Sequence, residues 1–397
     1  MRTGAASVAL LLPIGVYARA TDSDQVLSLH PKGYSAFHLQ EESIVVDGVL
    51  EDAVWEAVPF TDAFMDIQGP LHWSQPWFLT KAKLRYDDEF LYVGAYVEGP
   101  EIWANESQRN TVVFHDNDFE VFVDPDGSTH NYKEIEVNAR NTTWNLWLDK
   151  PYRSGGHENS TRVDPIHGFD MFGKGLRTAV YVDGRINDPA ERVHYWTVEM
   201  ALPLRELVRH TRVETDPLPP KPNTLWRINF SRVQWHVQVS EDGRRYDKIP
   251  GLSEENWVWS AQHAVNMHRP EWWGYLEFRG RDEKPPVDPS TLVPPTDPMW
   301  PLQCAAFQLF YAQQAYKKHH GHYAMALDEE LKGFFPVQDA LLWFQLQSIQ
   351  VGGDSYTAEL INRDLAPFTS VFINSESLLS IVKRDAVAQI TELQQVE

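Results

Sequence analysis

Cysteine is almost missing from this chain: Cys304 is the only one in 397 residues. No intramolecular disulfide can form, so the fold must be held by its core, and a zinc site of the multi-cysteine type is excluded. Basic residues are also in the minority, 35 Lys and Arg against 56 Asp and Glu, for a formal net charge of -21. A surface that acidic repels phosphate backbones and anionic lipid, which argues against nucleic acid as a partner. It stays compatible with neutral polyhydroxylated ligands and with divalent cations. Past the N-terminus no stretch is long and apolar enough to span a bilayer.

The N-terminus itself has the pattern of an export signal. Arg2 precedes an apolar run from Ala5 to Val16, and Ala18-Arg19-Ala20 then places small residues where a signal peptidase reads them. Residues 1–20 are therefore expected to be a signal peptide of a secreted protein, followed by an N-terminal extension over 21–40. With 43% hydrophobic and 23% charged residues the remainder reads as globular, and its length suggests more than one domain.

From Ser43 to Phe278 the sequence is a succession of short alternating segments punctuated by Gly, Pro and Asp. Thr80, Ala82, Leu84 and Tyr86 alternate with Lys81, Lys83 and Arg85, and Asp87-Asp88-Glu89 leads into Phe90 to Val97. That is a hairpin. Phe119, Val121 and Val123 alternate with polar or aromatic residues before the turn Asp124-Pro125-Asp126-Gly127, and Ile135 and Val137 alternate with Glu134, Glu136 and Asn138 after it. Further strand-like runs cover 144–148, 178–182, 195–200, 226–235 and 275–278, with a short helix near Leu202 to Val208. Roughly ten strands in two antiparallel sheets, a mainly β sandwich over 41–280, are expected. Between 281 and 300 the prolines Pro285, Pro286, Pro289, Pro294, Pro295 and Pro298 favour an extended linker with few cross-contacts. Beyond it, Leu302, Ala306, Leu309, Gln313 and Tyr316 fall on one helical face, and strand-like runs bracket Gly352-Gly353-Asp354. Residues 301–397 thus read as a small α+β tail.

Several segments resemble the family 9 carbohydrate-binding modules and the secreted bacterial proteins similar to them. They are VVDGVLEDAVW from Val45 to Trp55, LRYDDEFLYV from Leu84 to Val93, and HDNDFEVFVDPDG from His115 to Gly127. WRINFSRV from Trp226 to Val233, then ENWVWS and NMHRPEWWGYL between Glu255 and Leu276, complete the set. In order and spacing they cover nearly the whole sandwich region. Tyr311 to Leu331 of the tail resembles the helix and following loop of pilin-like domains.

The resemblance implies a non-catalytic β-sandwich that holds sugars, beside or attached to polysaccharide-degrading enzymes, with hydrolase activity only by that association. A sugar needs a flat aromatic face and a few fixed hydrogen-bonding groups. Carried over residue by residue, one stacking position falls on Phe114 where the family has Trp, and the acidic hydroxyl-binding position on Glu120. The basic position falls on Glu136, beside Asn138. The second stacking position falls at or near Met267, with Trp272 and Trp273 close by. Phe in place of Trp and Glu in place of the basic residue put the family's pocket in doubt. Some relatives use bound cations, which makes calcium on Asp124 and Asp126 the candidate metal, although that tetrapeptide is equally an ordinary tight turn.

Other chemistries compete. Glu120, Glu134 and Glu136 on neighbouring strands are the residue type that glycoside hydrolysis requires, but alternation would place them on a solvated or ligand-binding sheet face. His115, Asp116 and Asp118 form an oxygen-and-nitrogen cluster that a polar loop entering a strand also explains. Sandwiches similar to this family can carry haem b between Met and His, for which Met65, Met171, Met267 and His268 are available, though methionine fills cores far more often. A scaffold without sugar affinity is the remaining alternative.

Overall fold

The computed structural model describes residues 30–191 and 194–383. The expected signal peptide and residues 21–29 of the extension after it lie outside these residues.

Two sheets face each other across one core. The first contains β1 (Gly33–His38), β2 (Met65–Asp66), β5 (Asp118–Asp124), β6 (Tyr132–Asn138), β7 (Thr143–Leu148), β8 (Glu158–Asn159), β11 (Leu225–Gln234), β14 (Glu255–Val258) and β15 (Gly274–Phe278). Its order is β8-β7-β6-β5-β11-β15-β1, with β14 beside the second half of β11 and β2 beyond it. The second sheet is β1-β3-β4-β10-β9, adding β3 (Thr80–Tyr86), β4 (Phe90–Glu98), β9 (Arg177–Val182) and β10 (Tyr195–Pro203). A separate short ribbon joins β12 (Val237–Val239) to β13 (Tyr246–Lys248).

Most pairings are antiparallel, as the hairpin pattern implies, but β1 is parallel to both its neighbours. Gly33 to Ala36 pair with β15, and Phe37 and His38 pair with β3. This strand, assigned to an extension by its position in the sequence, therefore stitches the two sheets together. Alternation determines which side chains meet between them: Leu84, Val93, Ala95, Val198 and Met200 from one sheet pack against Phe119, Val121, Ile135, Val137 and Phe230 from the other.

The segment Val45 to Trp55 covers the outer face of the second sheet. Glu199 accepts hydrogen bonds from the backbone of Asp47 and Gly48, each at 2.8 Å, and from Trp55 Nε1 at 2.7 Å. Gly48 has φ +92°, and a Cβ there would lie 2.5 Å from the Tyr181 nitrogen, so only glycine fits the turn.

The tail carries the long helix Trp300–His320 against a four-stranded antiparallel sheet, β16 (Gln345–Gly352), β17 (Ser355–Ile361), β18 (Thr369–Asn374) and β19 (Leu379–Lys383). Leu302, Ala306, Leu309, Gln313 and Tyr316 are buried, as their helical spacing requires. The proline-rich segment before the helix is irregular, with one 3-10 turn at Pro289–Thr291, and makes contacts with the sandwich. Leu292 packs against the cluster around Trp55, Pro295 touches Gly33, and Asp297 accepts a hydrogen bond from Tyr275. The tail touches the sandwich again through its β18–β19 turn, where Leu379 donates to the Ser128 carbonyl and Thr129 donates to that of Ser377.

Candidate functional site

On β5, β6 and β7 the face turned away from the core carries Glu120, Phe122, Glu134, Glu136 and Trp144. Register makes one row of them: Ser231 lies opposite Glu120, Glu120 opposite Glu136, and Glu136 opposite Trp144. Such a face would be solvated if nothing covered it. Loops do cover it, and Glu120, Glu134 and Glu136 are 4%, 6% and 1% exposed.

Between sheet and loops lies a cavity of about 580 Å³. Phe114, Tyr152, Trp144 and Met267 provide apolar wall, and Glu120, Glu134, Glu136, Glu158 and Arg162 provide polar groups. Phe114 and Tyr152 remain 37% and 46% exposed, so both rings offer open surface. Arg162 forms hydrogen bonds to both oxygens of Glu158 at 3.1 and 3.2 Å and lies 5.3 Å from the centre of the Trp144 ring.

Each wall is held from behind. Asp116 accepts hydrogen bonds from the backbone of Asn105 and Glu106 and from the Asn138 amide at 2.9 Å, which ties the loop leading to Phe114 onto β6. Glu136 accepts from the Phe114 backbone at 3.1 Å, and Trp235 Nε1 donates to the Phe114 carbonyl at 2.9 Å. Trp273 Nε1 donates to the Met267 carbonyl at 3.0 Å while its ring packs on Phe122 and Tyr132. His268 is bonded to the Tyr132 hydroxyl and meets Tyr152 edge-on. Burial, and then Arg153, lower its pKa to about 4, so the ring is neutral.

The carboxyls beneath are pushed the other way. Burial raises Glu120 to about 7. Burial, together with the charges of one another, holds Asp118, Glu134 and Glu136 well above the ordinary carboxylate range. A protonated carboxyl both donates and accepts, so the floor can match hydroxyl groups of either polarity.

The structure thus brings Phe114, Glu120, Glu136 and Met267 together in one cavity. It places three other candidates elsewhere. Asn138 is fully buried and spends its amide on Glu106 and Asp116. Trp273 is a support beneath Met267. Trp272 packs against Trp300 and Cys304 where the tail meets the sandwich. Asp124 and Asp126 lie at the other end of β5, outside the cavity: Asp124 accepts from the Thr129 backbone through one oxygen while the other is buried without a partner, and Asp126 accepts from the backbones of Ser128 and Arg212. Among the described residues the one group with converging metal-type ligands is Asp118, Glu120 and Glu136. Met171 is a core residue of the sandwich, where it fills space. Trp144, Tyr152, Glu158 and Arg162 were not anticipated as site residues.

Residues 46–280 match the family described as carbohydrate family 9 binding domain-like. The chain belongs to that family. The match begins at Val46 and takes in every strand of both sheets except β1, together with the whole cavity. Among solved structures, the chain is similar to a family 9 carbohydrate-binding module from Caldicellulosiruptor kristjanssonii in complex with glucose. The identity is 17%, over 64% of this chain and 99% of that one, with a TM-score of 0.38. Its complex with cellotriose gives 16% identity over 66% and 100%, with a TM-score of 0.37. No curated protein matches the sequence. Among the described residues no helix is long and apolar enough to cross a membrane.

Proposed function

We propose that this chain is an exported, non-catalytic protein whose family 9-like domain binds carbohydrate in the Phe114–Glu120–Glu136 cavity and supports polysaccharide breakdown. The observation that carries this reading is the pairing of open aromatic wall with buried carboxyl floor, inside a domain of this family. Phe114 and Tyr152 supply faces for the C–H surface of a sugar ring, and the floor supplies groups for its hydroxyls. The cavity volume falls within the roughly 300–1,000 Å³ typical of small-ligand pockets.

A glycan array on the mature protein identifies the ligand. On that glycan, Phe114→Ala is expected to weaken binding by about 1–3 kcal/mol, roughly 5- to 150-fold, because one apolar wall is lost. Its melting temperature should hardly change, since the ring is more than one-third exposed. Trp272→Ala should do the reverse, leaving affinity intact and lowering the melting temperature. An array with no bound glycan, or a Phe114→Ala variant that melts earlier but binds as well, would remove the site.

Export is supported by Ala18-Arg19-Ala20 and the apolar run before it. Native protein should begin near Thr21. N-terminal sequencing that finds residues 1–20 retained would refute export.

A further inference from the structure

We propose that Asp118, Glu120 and Glu136 hold a hard divalent cation of the calcium class at the inner end of the cavity, and that its open coordination positions meet ligand hydroxyls. The second half rests on the cavity being the glycan site; the first half does not.

The three side chains come from two adjacent strands. Glu120 and Glu136 are direct register partners, and Asp118 lies two residues before Glu120, on the same face. One oxygen from each lies within 4.8 Å of the others. That spacing suits oxygens gathered around a single ion whose metal–oxygen distances are about 2.3–2.6 Å. All donors are oxygen and the single thiol is elsewhere, at the tail junction, which favours a hard cation over a soft one.

Among the described residues no lysine or arginine forms an ion pair with this group. Arg162 at the cavity wall is committed to Glu158. Lys133 belongs to the opposite face of β6 and donates to the carbonyls of Asn131 and Arg209. Arg232 belongs to the opposite face of β11 and bonds Gln234 and Thr80.

Unpaired oxygens point the same way. Asp118 is 0% exposed; one oxygen accepts from the Val233 backbone at 3.3 Å, and the other, Oδ2, has no partner. Glu134 Oε2, on the cavity floor beside Glu136, is likewise buried without a partner. Buried carboxyl oxygens are ordinarily satisfied, and the unpartnered Asp118 Oδ2, on a member of the converging group itself, marks a place for a bound group. Glu120 and Glu136 line the cavity while Asp118 stands behind them, so an ion held by all three turns its free side toward the ligand space.

The test uses the full mature chain, stripped with EDTA, dialysed and titrated with calcium chloride by calorimetry, with terbium luminescence excited through the protein's aromatic residues as a second readout. Saturable 1:1 binding is expected, weakened at least about tenfold in Asp118→Asn and in Glu136→Gln, since affinity follows the number of charged ligands. Both variants replace one of several crowded buried carboxyls by a neutral group of the same shape and should melt no earlier than the parent, which separates lost binding from lost fold. Absence of saturable binding up to about 10 mM calcium, beyond the weakest range of extracellular calcium modules, would overturn the proposal. So would binding unchanged in both variants. Glycan affinity that falls in EDTA and returns with calcium supports the bridging role, and glycan bound equally well in EDTA overturns that role while leaving the sugar reading intact. Calcium bound with no glycan on the array sinks the sugar reading and keeps the ion.

Discussion

Replacing Glu271 by alanine is expected to destabilise the whole chain by about 3–5 kcal/mol, the usual cost of removing one partner from a buried ion pair. Glu271 belongs to the turn Pro270–Trp272 and is 1% exposed. It pairs with Arg153 at 2.8 Å and with Arg269 at 3.4 Å, and it accepts a hydrogen bond from Tyr311 on the long helix. Burial pushes its pKa up, but the two guanidinium groups and Tyr311 outweigh burial and hold it below the ordinary value. Alanine would leave two arginines mostly buried and unpaired. Glutamine keeps the shape and part of the hydrogen bonding, so Glu271→Gln should cost less.

The location makes the effect reach both parts of the chain. Arg153 follows Tyr152 of the cavity wall and donates to the His268 carbonyl at 2.9 Å, while Tyr311 belongs to the tail. Calorimetry of the parent protein should therefore show one cooperative transition despite the proline-rich segment between sandwich and tail. In Glu271→Ala that transition should fall in temperature and split. If the parent already melts in two steps, or the variant melts with it, the junction does not couple the two parts.

The strands that were legible in the sequence are those with enough length to show alternation. β3, β4, β5, β6 and β10 were all visible in this way, as was the helical face beginning at Leu302. Short strands such as β2, β8 and β14 carry two to four residues, too few for a period, and β1 lies before the first recognisable motif. The site divides along the same line. Phe114, Glu120 and Glu136 sit on or beside a regular strand within a family motif, and they do meet. Trp272 and Trp273 are consecutive in an irregular turn, where neither period nor composition says which ring faces ligand, tail or core. Tyr152 and Arg162 follow β7 in segments without periodicity, and Glu158 opens the two-residue β8. Trp144 alone had a usable signal, because the β6–β7 hairpin places it opposite Glu136. Alternation correctly separated the core face of β5 and β6 from the polar face. It could not show that loops 110–116, 152–158 and 265–268 would roof the polar face and turn it into a buried floor.

That burial leads to an unusual dependence on pH: in EDTA, the folded protein should lose stability as pH rises from about 5 to 8. Glu120 is raised from 4.5 to about 7 by burial, and Asp118, Glu134 and Glu136 are also held well above the ordinary range by burial and mutual repulsion. In the unfolded chain these groups release their protons near the ordinary value. In the folded chain they keep them longer, so between the two values the native state binds more protons and rising pH favours unfolding. Their contribution is fully present below the ordinary value and is lost as pH climbs through the folded one. Glu120 alone would account for on the order of 3 kcal/mol across this window. Glu271 acts oppositely: its contribution is present above the ordinary carboxylate value and fades only at strongly acidic pH, so the stability maximum should lie near pH 5. A bound cation would favour the ionised carboxylates, so calcium should return much of the lost stability at pH 8. Urea denaturation at pH 5, 6, 7 and 8 measures the slope directly, with Glu120→Gln as the comparison. The glutamine variant should be the more stable of the two at pH 8 and nearly equal at pH 5. Stability that is flat or rising with pH in EDTA, with Glu120→Gln no different from the parent, would mean that the floor ionises freely and is open to water.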